Sequence, residues 1–135
     1  MIKKIEHLGI AVKDMEHSNR LFESLLGVGM DKIEEVESEQ VKTSFFQVGE
    51  SKIELLEATG PDSAIGKYIE KRGEGIHHIA FLSDDLEGEI KRLKDAGFQP
   101  LMDAPKNGAD NKRIIFFHPK STNGILVELC EERES

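Results

Sequence analysis

The strongest constraint on the fold is a pattern that occurs twice along the chain. Residues 6–12 (EHLGIAV) resemble residues 77–82 (HHIAFL) at an offset of 71, which is the distance between the shared histidines. Residues 53–57 (IELLE) resemble residues 127–131 (VELCE) at an offset of 74. Because the matching segments recur in one order at nearly one offset, the sequence predicts two similar structural modules.

Each module is predicted to contain one strand, one helix and three further strands. Leu8, Ile10 and Val12 alternate with small or polar residues, which is the period of a half-buried strand. A helical pattern follows in each half and ends at Gly27 or Gly97. The later strands are predicted at 29–37, 41–48 and 52–57 in the first half, and at 98–101, 113–118 and 125–130 in the second. We therefore predict an α+β fold in which two tandem βαβββ modules form a curved mixed sheet around a metal-binding cavity.

A short helix is predicted to join the two modules. It begins at Asp62 or Ser63, which are good N-caps, and ends at Gly73. The expected boundaries are about 1–59 for the first module, 61–73 for the linking helix and about 75–131 for the second, within a single domain of residues 1–135.

Three local features of the second module are also predicted. Asp84 followed by Glu87 forms a capping box at the start of its helix. The loop at 103–111 contains Gly and Asn and is expected to be mobile. The charged tail at 131–135 is expected to be frayed.

Charge and cysteine content exclude several classes of function. The net charge of −8 argues against general nucleic-acid binding. No apolar run is long enough to cross a membrane, and residues 1–9 (MIKKIEHLG) have no apolar core, so we expect no export signal. The single cysteine, Cys130, excludes an intrachain disulfide and a cysteine-clustered metal site. We expect a cytoplasmic protein that binds neither nucleic acid nor membrane and forms a homodimer.

Two histidines and two glutamates are predicted to share the face of the strands opposite the helices. Side chains alternate along a strand, so Leu8 and Ile10 turned toward the helix leave His7 on the other side. The same parity applies to the other three strands and gives the set His7, Glu54, His78 and Glu128. Imidazole and carboxylate donors suit Zn²⁺, Co²⁺, Ni²⁺, Mn²⁺ or Fe²⁺. The alternative is that each histidine is a hydrogen-bonded structural residue and each glutamate is solvated.

These residues and the repeat resemble the vicinal oxygen chelate superfamily. From about residue 2 to residue 131, the chain resembles the methylmalonyl-CoA epimerase family within it. The segments that carry the resemblance are 5–12, 53–57, 73–81 (GEGIHHIAF) and 118–129 (HPKSTNGILVEL). The first two segments are shared with glyoxalase I, and the last two are more specific to the epimerases.

The resemblance implies a function for the predicted site. It implies a divalent ion held by His7, Glu54, His78 and Glu128, expected to be Co²⁺ with Zn²⁺, Ni²⁺ or Mn²⁺ as alternatives. It also implies interconversion of (R)- and (S)-methylmalonyl-CoA, an acyl-CoA substrate. His77 has the opposite strand parity, and we interpret it as a structural residue or as one that supports a metal ligand.

Epimerisation requires proton exchange on both faces of a planar intermediate, and two opposed bases are the simplest way to provide it. Glu128 is predicted to serve as both metal ligand and base. Some epimerases place a glutamate where this chain has Thr43, which is not a base at neutral pH. Glu39 is the candidate for a displaced second base.

A local excess of positive charge lies between residues 103 and 124. We predict that these basic residues neutralise the phosphates of coenzyme A, and the alternative is an ordinary solvated surface. The residues are Lys106, Lys112, Arg113 and Lys120.

Three other functions are compatible with this type of fold. A glyoxalase I-type lactoylglutathione lyase would use the same donors and similar enolate chemistry. A metal-free module that binds a small molecule would need none of the four donors. An Fe²⁺ ring-cleaving dioxygenase is disfavoured, because such sites use two histidines and one carboxylate and leave more positions open.

Overall fold

The computed structural model describes residues 1–134 and divides the chain into two compact units. One unit is His7–His77, and the other combines Met1–Glu6 with the chain from His78 onward. Each unit contains strands and a helix in the order βαβββ, so the predicted fold class is confirmed. None of the helices that the structure describes has the length and apolar composition that a bilayer crossing requires.

The unit His7–His77 contains a four-stranded mixed sheet. The elements are β1 (Ile2–Ala11), α1 (Met15–Leu26), β2 (Lys32–Val36), β3 (Val41–Val48), β4 (Ser51–Ala58) and α2 (Ala64–Arg72). In this unit β4 and the end of β1 run parallel, while β3 pairs antiparallel with both β2 and β4, in the order β2-β3-β4-β1.

Helix α1 covers one face of this sheet. The side chain of Asp14 caps its N-terminus by accepting a hydrogen bond from the backbone N–H of His17, and Gly27 ends it in the left-handed conformation. The buried cluster beneath it contains Val12, Met15, Phe46 and Leu55, with Ile10, Phe22, Leu26, Met30 and Ile53 packed around them. Ile10, Val12, Ile53 and Leu55 therefore lie on the helix side of the first and fourth strands, as strand alternation predicts.

The linking helix α2 packs on the opposite face of the same sheet. Ser63 caps it, as one of the two predicted options, and Gly73 follows its last residue. Ile65 forms a buried cluster with Ala11 and Leu56, which share the side of the strands that carries His7 and Glu54. The prediction of a side without helices is therefore wrong at this end, where α2 covers the sheet.

The second unit repeats this arrangement. The elements are β5 (Gly75–Ser83), α3 (Leu86–Asp95), β6 (Lys106–Asn107), β7 (Lys112–Phe117) and β8 (Val127–Glu132). Strands β5 and β8 are parallel, β7 pairs antiparallel with β8 and β6, and the order is β5-β8-β7-β6. The core between α3 and the strands consists of Leu86, Ile90, Ile115, Phe117 and Leu129.

The start of α3 differs from the predicted capping box. Asp85, not Asp84, is the N-cap, and its carboxylate accepts a hydrogen bond from the backbone N–H of Gly88 at 3.1 Å. Asp84 instead binds the amino group of Met1 at 2.8 Å. At the other end of the helix, Ala96 is the C-cap, one residue before the predicted stop at Gly97.

Two further predictions for the second unit are corrected. The segment 98–101 is not a strand: Pro100, which has no N–H to donate, forms only an isolated bridge with Phe117. On the side of β7 away from β8, the pairing strand is β6, which lies inside the loop predicted at 103–111. The tail is not frayed at Glu131 and Glu132, which extend β8, and Ser135 lies outside the described residues.

Candidate active site

His7 and Glu54 form a buried pair on neighbouring parallel strands. Gly9 on β1 pairs in register with Glu54 on β4, and this places the two side chains as diagonal neighbours on one face. Nδ1 of His7 lies 3.0 Å from Oε2 of Glu54, and the two side chains are 6% and 7% exposed. The small residues Gly9 and Ala11 follow His7 on the same side of β1 and leave space beside it.

His78 and Glu128 form the matching pair in the second unit. Ala80 on β5 pairs with Glu128 on β8, and Nε2 of His78 lies 3.3 Å from Oε1 of Glu128. Both side chains are 5% exposed. Phe116 on β7, which is in register with Glu128, packs edge-on against the His78 ring with 5.4 Å between centroids.

The donor chemistry of both pairs is compatible with a divalent metal ion. Each unit supplies one buried imidazole nitrogen and one buried carboxylate oxygen, which are the types that Zn²⁺ and similar ions bind. Burying a carboxylate costs several kcal/mol unless a cation or hydrogen bonds compensate it, and each buried glutamate of this site lies within 3.3 Å of an imidazole nitrogen. A bound divalent ion would add positive charge beside both pairs.

Thr43, which occupies the position of the expected second base, is buried on β3. It pairs with Leu56 on β4 and with Glu34 on β2. Glu39 is exposed in a 3-10 turn, Glu37–Glu39, beyond the end of the β2–β3 ladder. Its role as a base stays a prediction.

Two aromatic residues beside the donors, Phe45 and Phe116, were missed by the sequence reasoning. Phe45 is fully buried and pairs in register with Glu54, as Phe116 does with Glu128. The ammonium of Lys32 lies 5.0 Å from the centre of the Phe45 ring. Extending the strand parity to the two neighbouring strands would have found both rings.

The predicted phosphate-binding residues fall into two groups. Lys106 lies exposed on β6, and Lys120 lies exposed in a 3-10 turn after His118. Lys112 and Arg113 form ion pairs with acidic residues of the same unit. The role of all four residues in substrate binding stays a prediction.

Lys112 is buried, and its Nζ contacts the backbone oxygen of Asp110 at 3.0 Å, the carboxylate of Asp110 at 3.4 Å and Glu132 at 3.3 Å. Arg113 lies on the helix-facing side of β7, where it donates to Glu87 and Glu131, each at 2.6 Å. The hydrogen bond to Glu87 is the largest of the effects that raise the pKa of Arg113. Acidic groups of the same unit thus balance the charges of both residues.

His77 lies next to a ligand candidate but makes a different contact. Its ring packs edge-on against Tyr68 of α2 with 5.0 Å between centroids. The hydroxyl of Tyr68 donates to the backbone oxygen of Ile76 at 2.7 Å. These contacts attach α2 to the start of β5.

Comparisons with known proteins cover nearly the whole chain. The model of the glyoxalase/bleomycin resistance protein/dioxygenase superfamily matches residues 6–116. An uncharacterized protein of Bacillus subtilis, YqjC, is 39% identical over 98% of this chain and 94% of its own length. The ethylmalonyl-CoA/methylmalonyl-CoA epimerase of Cereibacter sphaeroides is 37% identical over 96% of this chain and 98% of its own.

A solved structure extends this similarity to three dimensions. A variant of the Streptomyces coelicolor methylmalonyl-CoA epimerase, in complex with 2-nitronate-propionyl-CoA, has a TM-score of 0.93 and 34% identity. The match covers 98% of this chain and 96% of that one. The chain therefore belongs to the glyoxalase/bleomycin resistance protein/dioxygenase superfamily and, within it, to the family of the methylmalonyl-CoA epimerases.

Proposed function

We propose that this chain is an isomerase that interconverts (R)- and (S)-methylmalonyl-CoA. The observation that carries the proposal is the buried histidine–glutamate pair that occurs once in each unit, His7 with Glu54 and His78 with Glu128. Full-length similarity to epimerases supports it, including one whose structure contains an acyl-CoA ligand.

The chemistry of the substrate explains why such a site is needed. The α-carbon lies between a carboxylate and a thioester carbonyl, and its proton is only weakly acidic. Removing that proton gives a planar enolate, whose charge must be stabilised as it forms. The nitronate ligand of the similar structure also has a planar carbon at this position, which supports chemistry of this type.

We propose that His7, Glu54, His78 and Glu128 together hold one divalent ion. The ion is proposed to be Co²⁺, with Zn²⁺, Ni²⁺ and Mn²⁺ as alternatives, because all four ions accept nitrogen and oxygen donors. When bound, such an ion supplies a Lewis acid for the thioester carbonyl and for the substrate carboxylate. The support is the type of donor and its burial.

Glu128 is proposed to exchange the proton on one face of the enolate. Its side chain is buried beside His78 and next in register to Phe116, so few water molecules compete for its carboxylate. A carboxylate with two oxygens can bind a cation through one of them and accept a proton on the other. Glu39 is the second base proposed from the sequence.

Substrate binding and assembly complete the proposal. The exposed ammonium groups of Lys106 and Lys120 are proposed to face the phosphates of coenzyme A, with Lys112 and Arg113 adding positive potential. We also propose a cytoplasmic homodimer. The buried thiol of Cys130, the chain's single cysteine, suits a reducing compartment, and the exposed Leu21 and Leu25 of α1 suit a protein interface.

Turnover by Co²⁺-loaded and chelator-treated protein tests the function. We expect the protein to epimerise (S)-methylmalonyl-CoA, and chiral chromatography monitors this reaction. We expect no conversion of the hemithioacetal of methylglyoxal and glutathione. Conversion of the hemithioacetal alone would favour a glyoxalase I-type lyase. Absence of both activities, with no metal retained, would favour a metal-free binding module.

A further inference from the structure

The face of the first unit that carries His7 and Glu54 also carries the carboxylate of Glu34. Epimerisation needs a proton donor or acceptor on each side of the planar intermediate, and Glu128 serves one side. We propose that Glu34 is the general base on the other side. This inference rests on the proposed function and replaces Glu39 in that role.

Strand register places Glu34 on this face. Glu34 on β2 pairs with Thr43 on β3, which pairs with Leu56 on β4. Residues directly opposite each other in antiparallel strands point to the same side of the sheet. Leu56 lies two residues after Glu54 and shares its side. The three carboxyl or hydroxyl side chains of Glu34, Thr43 and Glu54 therefore share one face.

Side-chain contacts agree with this placement. Nζ of Lys32 lies 2.9 Å from Oε1 of Glu34 and also 5.0 Å from the centre of the Phe45 ring. Phe45 is directly opposite Glu54. The side chain of Glu34 is 34% exposed, so its carboxylate lies where the buried part of the face meets solvent. A substrate entering from solvent can reach it.

Distance along the strands favours Glu34 over Glu39. At about 3.4 Å per residue, the row of Thr43 and Glu34 lies about 7 Å from the row of Phe45 and Glu54. Val41, the last ladder residue before the turn, is already about 14 Å away on the same scale. Glu39 lies beyond it, on the far side of Gln40, whose positive φ of 51° turns the chain. Glu39 is therefore at least twice as far along β3 from the row of Glu54.

The proposed proton transfer conserves atoms and charge. The Glu34 carboxylate takes the α-proton of one enantiomer, and the electron pair of the broken C–H bond moves into the enolate. The carboxylic acid form of Glu128 then returns a proton on the opposite face, and this forms the other enantiomer. The reverse reaction uses the same two groups with their roles exchanged.

Deuterium exchange with separate enantiomers tests the inference. Full-length protein loaded with Co²⁺ is incubated in D₂O with (R)- or (S)-methylmalonyl-CoA, and proton NMR follows the α-proton while chiral chromatography follows inversion. We expect Glu34→Gln to slow proton loss from one enantiomer by about 10²- to 10⁴-fold. The other enantiomer should still incorporate deuterium, but without inversion.

The matched control is Glu35→Gln. Glu35 is exposed, adjacent to Glu34 and on the opposite side of β2, so its substitution should change neither enantiomer's exchange. Thermal melts of all variants report whether they fold. Glu39→Gln tests the competing candidate: if Glu34 is the base, the enantiomer-specific loss appears in Glu34→Gln and not in Glu39→Gln.

Several results would overturn the inference. They are unchanged exchange in Glu34→Gln, equal slowing of both enantiomers, or the enantiomer-specific loss in Glu39→Gln instead. If the wild-type protein exchanges neither enantiomer, the proposed function itself fails, and the role of Glu34 fails with it. An active wild type with an unaffected Glu34→Gln variant overturns only the role of Glu34.

Discussion

Replacing Lys112 by Met separates a structural role of this lysine from the predicted role in phosphate binding. Its Nζ makes a hydrogen bond to the backbone oxygen of Asp110 and lies close to two carboxylates, while its side chain is only 5% exposed. Methionine keeps most of the apolar stem and removes the charge. The variant therefore isolates the polar contacts of the ammonium group.

The structure sets the size of the expected effect. Glu132 is 67% exposed and its ion pair contributes little, but the Asp110 side chain is 17% exposed and loses its nearby cation. A hydrogen bond from a charged group contributes about 1.5–3 kcal/mol, so we expect a loss of about 2–3 kcal/mol in the free energy of unfolding. At about 2.1 cal/mol/K per residue of unfolding entropy, this lowers Tm by about 7–11 °C.

Thermal and denaturant unfolding, followed by circular dichroism, measure this loss. Lys120→Met is the matched control, because Lys120 is exposed and its loss should change the free energy of unfolding by no more than about 0.5 kcal/mol. A Lys112→Met variant as stable as the control would refute the structural argument. The KM for the acyl-CoA tests the second role. If the KM of Lys112→Met is no higher than that of Glu35→Gln, the predicted phosphate role of Lys112 is wrong.

Three further predictions follow from contacts elsewhere in the structure. The hydrogen bond to Asp84 raises the pKa of the Met1 amino group and lowers that of Asp84, while the bond from Arg92 lowers the pKa of Glu89. The Met1 amino group stabilises the fold fully below pH 8.0, which is the ordinary pKa of such a group. This contribution fades as the pH rises through the raised pKa. The carboxylates stabilise the fold fully above their ordinary pKa values, 3.8 for Asp84 and 4.5 for Glu89. These contributions fade as the pH falls through the lowered pKa values. Acetylating the amino group should weaken both dependences in denaturant titrations across pH, and unchanged profiles would contradict the pairing. Ser63→Ala should cost about 1 kcal/mol in the same titrations, because it removes the buried N-cap of α2, and a neutral effect would show that the cap is dispensable. Co²⁺ at one hundred times its dissociation constant should add about 2.7 kcal/mol to the free energy of unfolding, and Glu54→Gln should remove most of that gain; equal melts with and without the ion would argue against binding.

The repeat made most of the architecture predictable from the sequence. Alternation along the strands identified Ile10 as a residue that faces α1, and Leu55 of β4 packs in the same cluster. The same alternation predicted that His7 and Glu54 share the opposite face, and they lie 3.0 Å apart. Local pattern was sufficient because each pair belongs to adjacent strands of one unit.

Features that depend on distant contacts were not predictable in this way. Asp84 and Asp85 have equal propensity to cap a helix, and the amino group of Met1 occupies the first and leaves the cap to the second. Ala11 and Leu56 form an apolar patch for α2, but a helix pattern alone does not reveal which sheet face receives it. Long-range partners decide both outcomes.

The charge pattern was similarly ambiguous. The sequence shows an excess of lysine and arginine between residues 103 and 124, but folding pairs Lys112 with Asp110 and Arg113 with Glu87 and Glu131. Composition counts charges, whereas electrostatic potential depends on which of them are neutralised by neighbours. The same limit applies to Glu34, whose place beside Thr43 follows only from the register of β2 with β3.

Solvent-deuterium incorporation at the α-carbon of methylmalonyl-CoA is the most direct test of the proposed chemistry. The measurement compares the wild-type protein and Glu128→Gln, each with Co²⁺ and after chelation. We predict that exchange requires the divalent ion. We also predict that Glu128→Gln removes the exchange of at least the enantiomer whose α-proton the Glu128 carboxylate takes. Exchange that continues at the same rate after chelation and in the Glu128→Gln variant would contradict the account.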